Sequence, residues 1–527
     1  MMKRSLAIGL ISLTLAALAA PALAADSLVS AVQMKDREAA LAMLKKGADV
    51  SKPGPDGTTA LMWAAYNGDA DLVKRLLKAG ADPNARNDYG ASPLSAAALA
   101  ANAASVRLLL EAGADPNSPN EDGQTALMVV ARAGNVEAAK ALIEHGADVN
   151  AREQWRKQTA LMWAAAKKRP EMVKLLLRHG AEPDVRSDIN NWERQVSGEP
   201  RAQYREAGGL TPLLFAAREG CVDCARNLVD GGADINMSDP ENVTPLIMAI
   251  NNYHFDLAKY LIEAGANLDK WDWWGRTPLY VAVDVNTLPQ GGREERPSLD
   301  KTTSTDIIRL LLEKGADPDA QLKLFPPYRH VGADRGCDLV LNIGSTPLLR
   351  AAKTFDAAAI KLLVAHGADV NRPNVDGVTP VMVAAGSHSV ECDVRGGPSY
   401  ILPGVQEKSI AALTLLLDAG ADVNHQDSLP RGQYSTYREQ TALHGAAFWG
   451  WNKVARFLID HGARIDIQDK NGMTPVDSAM GRAGGHGRGQ VIEVHEETAD
   501  LLRKACAAQP DCHLPERKDG DKTALAE

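Results

Sequence analysis

The sequence predicts an all-α solenoid built from stacked helix-turn-helix units joined by hairpin fingers. A Gly-Ala pair recurs every 33 residues in the first part of the chain, and each copy carries two segments with apolar residues at helical spacing. One such pair of short helices cannot bury its own apolar face, so neighbouring copies must stack. The first four pairs start at Gly47, Gly80, Gly113 and Gly146.

Length and composition agree with a repeating structure. The chain has 527 residues, which is too long for one globular core. Its 45% hydrophobic and 24% charged residues are typical of a folded protein. The formal net charge is -9 and no long basic run occurs, which argues against a protein that follows nucleic-acid phosphates.

Residues 1–24 have the pattern of a secretory signal peptide. Two basic residues precede an uncharged apolar run over residues 6–20, and a small-x-small triplet ends at Ala24. A membrane anchor is the alternative, but the run is short for a spanning helix and Pro21 follows it directly. We therefore expect cleavage after Ala24, no membrane insertion, and a periplasmic or extracellular location.

Each unit carries local signals for two helices. Thr379 is placed to cap a helix start, and Pro380 fits the first helical turn, where no backbone donor is needed. Small residues such as Ala384 let a neighbouring helix approach closely. A second helix follows, as in residues 71–77, and Gly80 then stands where a left-handed C-cap is needed.

This pattern resembles the ankyrin repeat, whose period and T-P-L-H-x-A signature it shares. Ten units carry both marks, from Thr59 to Gly462, and residues 26–50 and 474–506 resemble end units, which gives about twelve in all. One departure is that the signature histidine survives only at His444. The resemblance implies a protein that binds another protein and does not catalyse a reaction. We also expect a monomer without a cofactor. Exported, insertion-rich ankyrin proteins of this kind look bacterial.

The predicted solenoid covers residues 26–506, with a flexible tail over 507–527. Six insertions interrupt it. Three lie in the hairpin fingers, at 185–209, 320–343 and 425–439, and three lie between paired helices, at 286–304, 388–407 and 481–494. The resemblance implies binding through fingers and inner helices, so the first three are better placed for a ligand. The alternative is that surface loops tolerate added length at small cost.

Aromatic residues cluster at particular repeat positions. Trp163 and Phe215 share the position after the signature histidine, on the inner side of the first helix. Other tryptophans lie in two fingers and in the first finger insertion. Because tryptophan is enriched in binding hot spots, we expect a partner protein to contact Trp155, Trp163, Trp192, Phe215, Trp271, Trp273 and Trp274. The alternative is that insertions fold over these rings. A lower-ranked cluster comprises Phe448, Trp449 and Trp451.

The six cysteines are an even number in a compartment where disulfides persist, and they allow 15 pairings. Cys221 and Cys224 form a C-x-x-C motif at a helix start, where thiol pKa values fall. A thiol-redox protein is therefore the alternative function, although a local structural disulfide is favoured. The remaining candidate disulfides are Cys506–Cys512, which is local, and Cys337–Cys392, by elimination.

Histidines recur just before the Gly-Ala pair, at His145, His179, His366 and His461. Ligands must lie about 2.1 Å from one metal ion, whereas side chains one repeat apart start roughly 10 Å from each other. The preferred interpretation is a surface histidine at a helix C-terminus, which the helix dipole favours. No metal site is therefore predicted, and no common catalytic motif is present in the sequence.

Overall fold

The computed structural model describes residues 26–190, 207–286, 298–323, 340–387, 403–428, 439–482 and 494–516. Within these ranges the chain forms 24 helices, the number expected from about twelve two-helix units, and one pair of two-residue strands. It divides into two compact units: Met1–Val130 with Asn135–Asp148, and Ala131–Gly134 with Val149–Glu527. The predicted Trp192, Cys337, Cys392 and signal peptide lie outside the described residues.

In the first unit, the first helices of successive repeats stack on one another, and so do the second helices of its last three repeats. The first helices are α1 (Leu28–Gln33), α3 (Ala60–Tyr66) and α5 (Pro93–Leu99), and the second helices are α2 (Arg37–Lys45), α4 (Ala70–Lys78), α6 (Ala103–Glu111) and α8 (Val136–Glu144). Helix α7 (Ala126–Ala133) has residues in both units.

The second unit repeats this arrangement eight times. Its first helices are α9 (Ala160–Ala166), α11 (Pro212–Glu219), α13 (Pro245–Asn251), α15 (Pro278–Asn286), α17 (Pro347–Lys353), α19 (Pro380–Ala384), α21 (Ala442–Phe448) and α23 (Pro475–Ala479). Its second helices are α10 (Pro170–Arg178), α12 (Val222–Asp230), α14 (Phe255–Glu263), α16 (Ser304–Glu313), α18 (Ala357–Ala365), α20 (Val405–Asp418), α22 (Asn452–Asp460) and α24 (Glu496–Ala507). Each row packs in sequence order, which confirms the predicted solenoid. Strands β1 (Ile189–Asn190) and β2 (Ala207–Gly208) pair antiparallel.

The predicted helix caps are largely present. Gly80 has a φ of 92°, the left-handed conformation that ends α4. Threonine hydroxyls accept the backbone N–H three residues ahead at Thr59, Thr159, Thr211, Thr244 and Thr346. The prediction that the Thr379 side chain caps its helix needs correction. This residue holds the N-cap position and Pro380 begins the helix, but the Thr379 hydroxyl makes no capping bond and has no partner among the described residues.

The surviving signature histidine joins two repeats. The Nδ1 of buried His444 accepts the Thr441 backbone N–H at 3.0 Å, and its Nε2 lies 3.1 Å from the Met473 carbonyl oxygen. Burial lowers the pKa of His444, so the ring is neutral with its proton on Nε2. Ser95 and Asp477 make the same bond to the cap residue's backbone N–H, so substitution there preserves part of the network.

Turn asparagines form a ladder between repeats. The Asn371 Nδ2 donates to the Gly420 carbonyl, and its Oδ1 accepts the Asp422 backbone N–H. Four repeats carry aspartate instead, and three of these, Asp184, Asp269 and Asp319, accept the backbone N–H of the next turn. A carboxylate cannot donate to the glycine carbonyl, so each of these steps lacks one hydrogen bond of the ladder.

We expect Asp319→Asn to raise the free energy of unfolding by about 1 kcal/mol, the usual net value of one hydrogen bond. The new amide would reach the Gly367 carbonyl, and removing the carboxylate would relieve a group whose pKa burial raises. Urea denaturation measures the change. Asn371→Asp is the reverse control and should lose a similar amount. An unchanged midpoint for both variants would contradict this role for the ladder.

Candidate protein-binding surface

Two of the finger turns that carry exposed tryptophans are fixed by a carboxylate at or near their start. The Asp272 Oδ1 accepts the backbone N–H groups of Trp274 at 3.1 Å and Arg276 at 2.9 Å. The buried carboxylate of Glu153 accepts three N–H groups in the same way, including that of Trp155 at 2.6 Å. These hydrogen bonds fix the backbone of the turn and so define the position of the residues at its tip.

Neighbouring fingers are linked by backbone hydrogen bonds. The Asp188 N–H donates to the Arg156 carbonyl at 2.6 Å, and the Trp273 N–H donates to the Glu241 carbonyl at 2.9 Å. Further along the second unit, the Lys323 N–H donates to the Trp274 carbonyl at 2.9 Å. The fingers therefore form an ordered row and not a set of independent loops.

Three predicted tryptophans are exposed on this row. Their exposed fractions are 74% for Trp155, 44% for Trp271 and 47% for Trp273. In the second unit, two further exposed apolar side chains at finger positions were not predicted, Ile189 and Val375. We call these five residues the finger-tip surface. Two fingers, which begin at Ser187 and Asp239, lie between those of Trp155 and Trp273, and the first of them carries Ile189.

Two of the predicted contact residues need correction because they are buried. The Trp274 ring lies 5.1 Å from the Arg276 guanidinium, and the Phe215 ring lies 4.9 Å from that of Arg218. Neither ring is open to a partner, so both serve as packing. Trp163 is half-buried beneath the Arg132 guanidinium at 4.9 Å.

The lower-ranked aromatic cluster is mainly packing as well. Trp451 is buried and its ring packs edge-on against Phe355 at a centroid distance of 6.2 Å. The Trp449 Nε1 donates to the Gly386 carbonyl at 2.9 Å. The Trp449 bond joins adjacent repeats and the Trp451–Phe355 contact spans two repeats, whereas Phe448 and Trp449 are only half-buried.

A buried ion pair lies beneath the exposed tryptophans. The Arg276 Nη2 is 2.6 Å from the Asp272 Oδ2, and both side chains are almost completely buried. In the preceding finger, burial raises the pKa of Asp239 to about 6, with added repulsion from Glu241 and Asp272. The electrostatics of this part of the row therefore oppose the charged form of Asp239.

We expect the contribution of Asp239 to stability to fall as pH rises from about 4 to about 6, because the folded protein retains the Asp239 proton that the unfolded chain has released. Above this window Asp239→Asn should be more stable than the parent, by up to about 2–3 kcal/mol, and near pH 4 the two should match. Urea midpoints at several pH values test this. A difference that does not change with pH would contradict it.

The structure joins Cys221 to Cys224 by a disulfide. Cys221 caps the start of α12, and both side chains are buried. A redox-active thiol needs access for its reaction partner. This burial therefore favours a structural disulfide over the thiol-redox alternative.

A second disulfide joins Cys506, buried in α24, to Cys512. Burial alone would raise the pKa of Asp466, but hydrogen bonds from Arg464 and from the His513 backbone N–H lower it overall. Helix α24 ends at Ala507 and residues 508–516 are also described, whereas residues 517–527 lie outside the described part. The flexible tail therefore stays a prediction.

Peptide mapping without reduction should recover Cys506 linked to Cys512. Cys506→Ser should lower the free energy of unfolding by about 2 kcal/mol, because the disulfide closes a short loop in the unfolded chain. Linkage of either cysteine to another site would contradict the structure.

The histidines before the Gly-Ala pairs behave as helix-end residues. The Nδ1 of His145, His366 and His461 lies 2.7–2.8 Å from the carbonyl oxygen four residues earlier. Across the described ranges, no group of three or more histidine, cysteine or acidic side chains is arranged to hold a metal ion. Likewise, no helix in the described part is long and apolar enough to cross a membrane.

Family models support this architecture. Residues 28–120, 99–187, 213–322 and 404–508 match the model for ankyrin repeats in three copies, and residues 343–375 match that for the ankyrin repeat. These matches cover well over half of the chain, which therefore belongs to the ankyrin-repeat family. Ankyrin repeats mediate protein–protein binding, and the family is generally non-catalytic.

Curated relatives share parts of the chain. The E3 ubiquitin-protein ligase Ufd4 of Drosophila melanogaster is 32% identical over 145 residues, or 28% of this chain and 5% of that protein. The B-cell lymphoma 3 protein homolog of Mus musculus is 29% identical over 228 residues, or 40% of this chain and 43% of that protein. The chain thus spans less than half the length of either relative.

One solved structure is also similar. The human ASB11 ankyrin repeat domain matches with 24% identity and a TM-score of 0.37, over 45% of this chain and 96% of that chain.

Proposed function

We propose that this protein is a non-catalytic binding module of the bacterial cell envelope that captures a partner protein on its finger-tip surface. The observation that carries the proposal is the exposure of Trp155, Trp271 and Trp273 on turns whose backbones are fixed by buried carboxylates. Exposed tryptophans on a rigid scaffold can bind with little loss of conformational entropy.

The location is part of the same proposal. The signal-peptide pattern of residues 1–24 supports export, and disulfides persist in oxidising compartments such as the periplasm. Intact-mass measurement of the exported protein tests it. The expected mature chain begins at Ala25, and an exported chain that still begins at Met1 would refute cleavage.

Site-specific photo-crosslinking tests the binding surface. A photoreactive phenylalanine analogue is placed at Trp155, Trp271 or Trp273 in the full chain, and at exposed Arg178 in α10 as the matched control. We expect one protein from the native compartment to crosslink from the finger positions and not from position 178. Equal crosslinking from all four positions, or none from the fingers, would reject the proposal.

A further inference from the structure

A second feature of the same unit lies on the inner helices. Helix α9 packs against α11, which places the rings of Trp163 and Phe215 in adjacent repeats. The Arg132 guanidinium lies over the first ring and that of Arg218 over the second, each at 4.9 Å. Ala166 holds in α9 the repeat position that these arginines hold in α7 and α11. A small residue therefore separates two cations along the stack.

Most N–H donors of the two guanidiniums make no hydrogen bond among the described residues. Arginine has five N–H donors in a planar fork that matches a carboxylate. Among the described residues, the Arg132 side chain makes no hydrogen bond or ion pair, and Arg218 uses only Nε, which donates to Glu219 at 3.1 Å. Each ring instead supports a guanidinium from below, in a cation–π arrangement that fixes its position.

The surrounding charge is positive. Exposed Lys167, Lys168 and Arg169 follow Ala166 directly. They oppose Glu219, which is already bonded to Arg218, and two acidic residues that begin the second helices, Glu171 and Asp223. With Glu137, which begins α8, the three turns between first and second helices carry five cations and four carboxylates, in a chain whose formal net charge is -9.

We propose that this surface, the Arg132–Arg218 face, receives an acidic segment of the partner protein. Two carboxylates pair with Arg132 and Arg218, and an apolar side chain between them lies over Ala166 beside the Trp163 ring. The backbones of the two arginines are two repeats apart, but their guanidiniums lie over rings in adjacent repeats, so the two charged groups are roughly 10–20 Å apart. An extended chain covers that distance in about three to six residues. The inference rests on the proposed function and adds the chemistry of the partner.

A labelled peptide provides a defined probe. It carries two Glu-Glu pairs about six residues apart around a central leucine, and a matched peptide carries lysine in place of glutamate. Fluorescence anisotropy with the full chain measures the binding of each. We expect the glutamate peptide to bind more tightly than the lysine peptide, and its affinity to fall with added salt.

Charge-reversal variants test whether Arg132 and Arg218 bind the peptide. Arg132→Glu with Arg218→Glu should weaken glutamate-peptide binding by about tenfold or more. Lys174→Glu with Arg178→Glu makes the same net change on exposed positions of α10, and should stay within about twofold because those charges are screened. Circular dichroism checks folding. Arg132→Gln with Arg218→Gln, which retains size and polarity, replaces the reversal if it unfolds and should also weaken binding.

Three outcomes would overturn the inference. They are equal losses for the two double variants, no preference of the parent for glutamate over lysine, and stronger competition by a DNA duplex than by the glutamate peptide. If the partner crosslinked from the fingers binds the Arg132/Arg218 variant normally, this inference fails while the proposed function stands. If no finger position crosslinks a partner, the proposed function itself fails.

Discussion

Replacing Asp272 by alanine is expected to lower the free energy of unfolding by about 3–5 kcal/mol, the range for removing one partner of a buried ion pair. Asp272 is fully buried, and Arg276 is almost so. The substitution removes the acceptor of two backbone N–H groups and both contacts to the guanidinium, at 2.8 Å to Nε and 2.6 Å to Nη2. A buried positive charge would then lack its carboxylate partner. Urea denaturation followed by circular dichroism measures the change.

Two variants separate the charge from the turn geometry. Asp272→Asn keeps an oxygen for the backbone N–H groups but removes the negative charge, so it should lie between the parent and the alanine variant. Glu263→Ala breaks the exposed Lys259–Glu263 pair and should change stability by less than about 1 kcal/mol. If Asp272→Ala changes the free energy of unfolding by no more than Glu263→Ala does, the Asp272–Arg276 pair contributes no more than a surface salt bridge.

Much of the fold could be predicted because its signals are local. The 33-residue spacing of Gly-Ala pairs, the threonine at each helix start and the left-handed glycine at each end act within a few residues. They fix helix boundaries without knowledge of distant contacts. Gly80 illustrates this, because its position in the sequence alone predicted the positive φ that the structure shows.

Exposure at the finger tips could not be predicted in the same way. Trp274 and Tyr89 both precede the glycine of a finger turn, yet Trp274 is buried and Tyr89 is exposed. The difference arises from the Asp272–Arg276 pair, against which Trp274 packs. That interaction depends on which residues share one finger, and repeat position does not encode it. Phe215 was misassigned for a similar reason, because the Arg218 side chain lies over its ring.

Some missed residues did carry a signal. Val375 stands at the finger position that Asp88 and Glu121 hold in other repeats, so an apolar side chain there breaks the polar pattern of the tips. Comparing each finger with its counterparts would have identified it. Arg132 gave no comparable signal, because its relation to Trp163 spans two repeats and appears only when the helices are stacked.

Truncating the exposed tryptophans should produce the largest loss of partner binding. Trp155→Ala, Trp271→Ala and Trp273→Ala should each cost at least about 2 kcal/mol where the residue is a true anchor. That corresponds to a rise in Kd of about 30-fold. Because these side chains are 44–74% exposed, their removal should leave the free energy of unfolding nearly unchanged. Calorimetry with the crosslinked partner, once purified, measures the affinity.

The buried neighbours supply the matched controls. Trp274→Ala alters the same finger as Trp273→Ala but removes a core ring, so it should lower stability by about 3–5 kcal/mol. Phe215→Ala should lower stability similarly, but it also removes the ring beneath Arg218. Trp274→Ala is therefore the variant that should weaken binding only in proportion to the unfolded fraction. Replacing a finger anchor should instead lower the affinity for the partner and leave the circular dichroism spectrum and the urea midpoint at the parent values. If all three exposed-tryptophan variants bind like the parent, the partner does not use the finger-tip surface, and the half-buried Phe448 and Trp449 become the next residues to test.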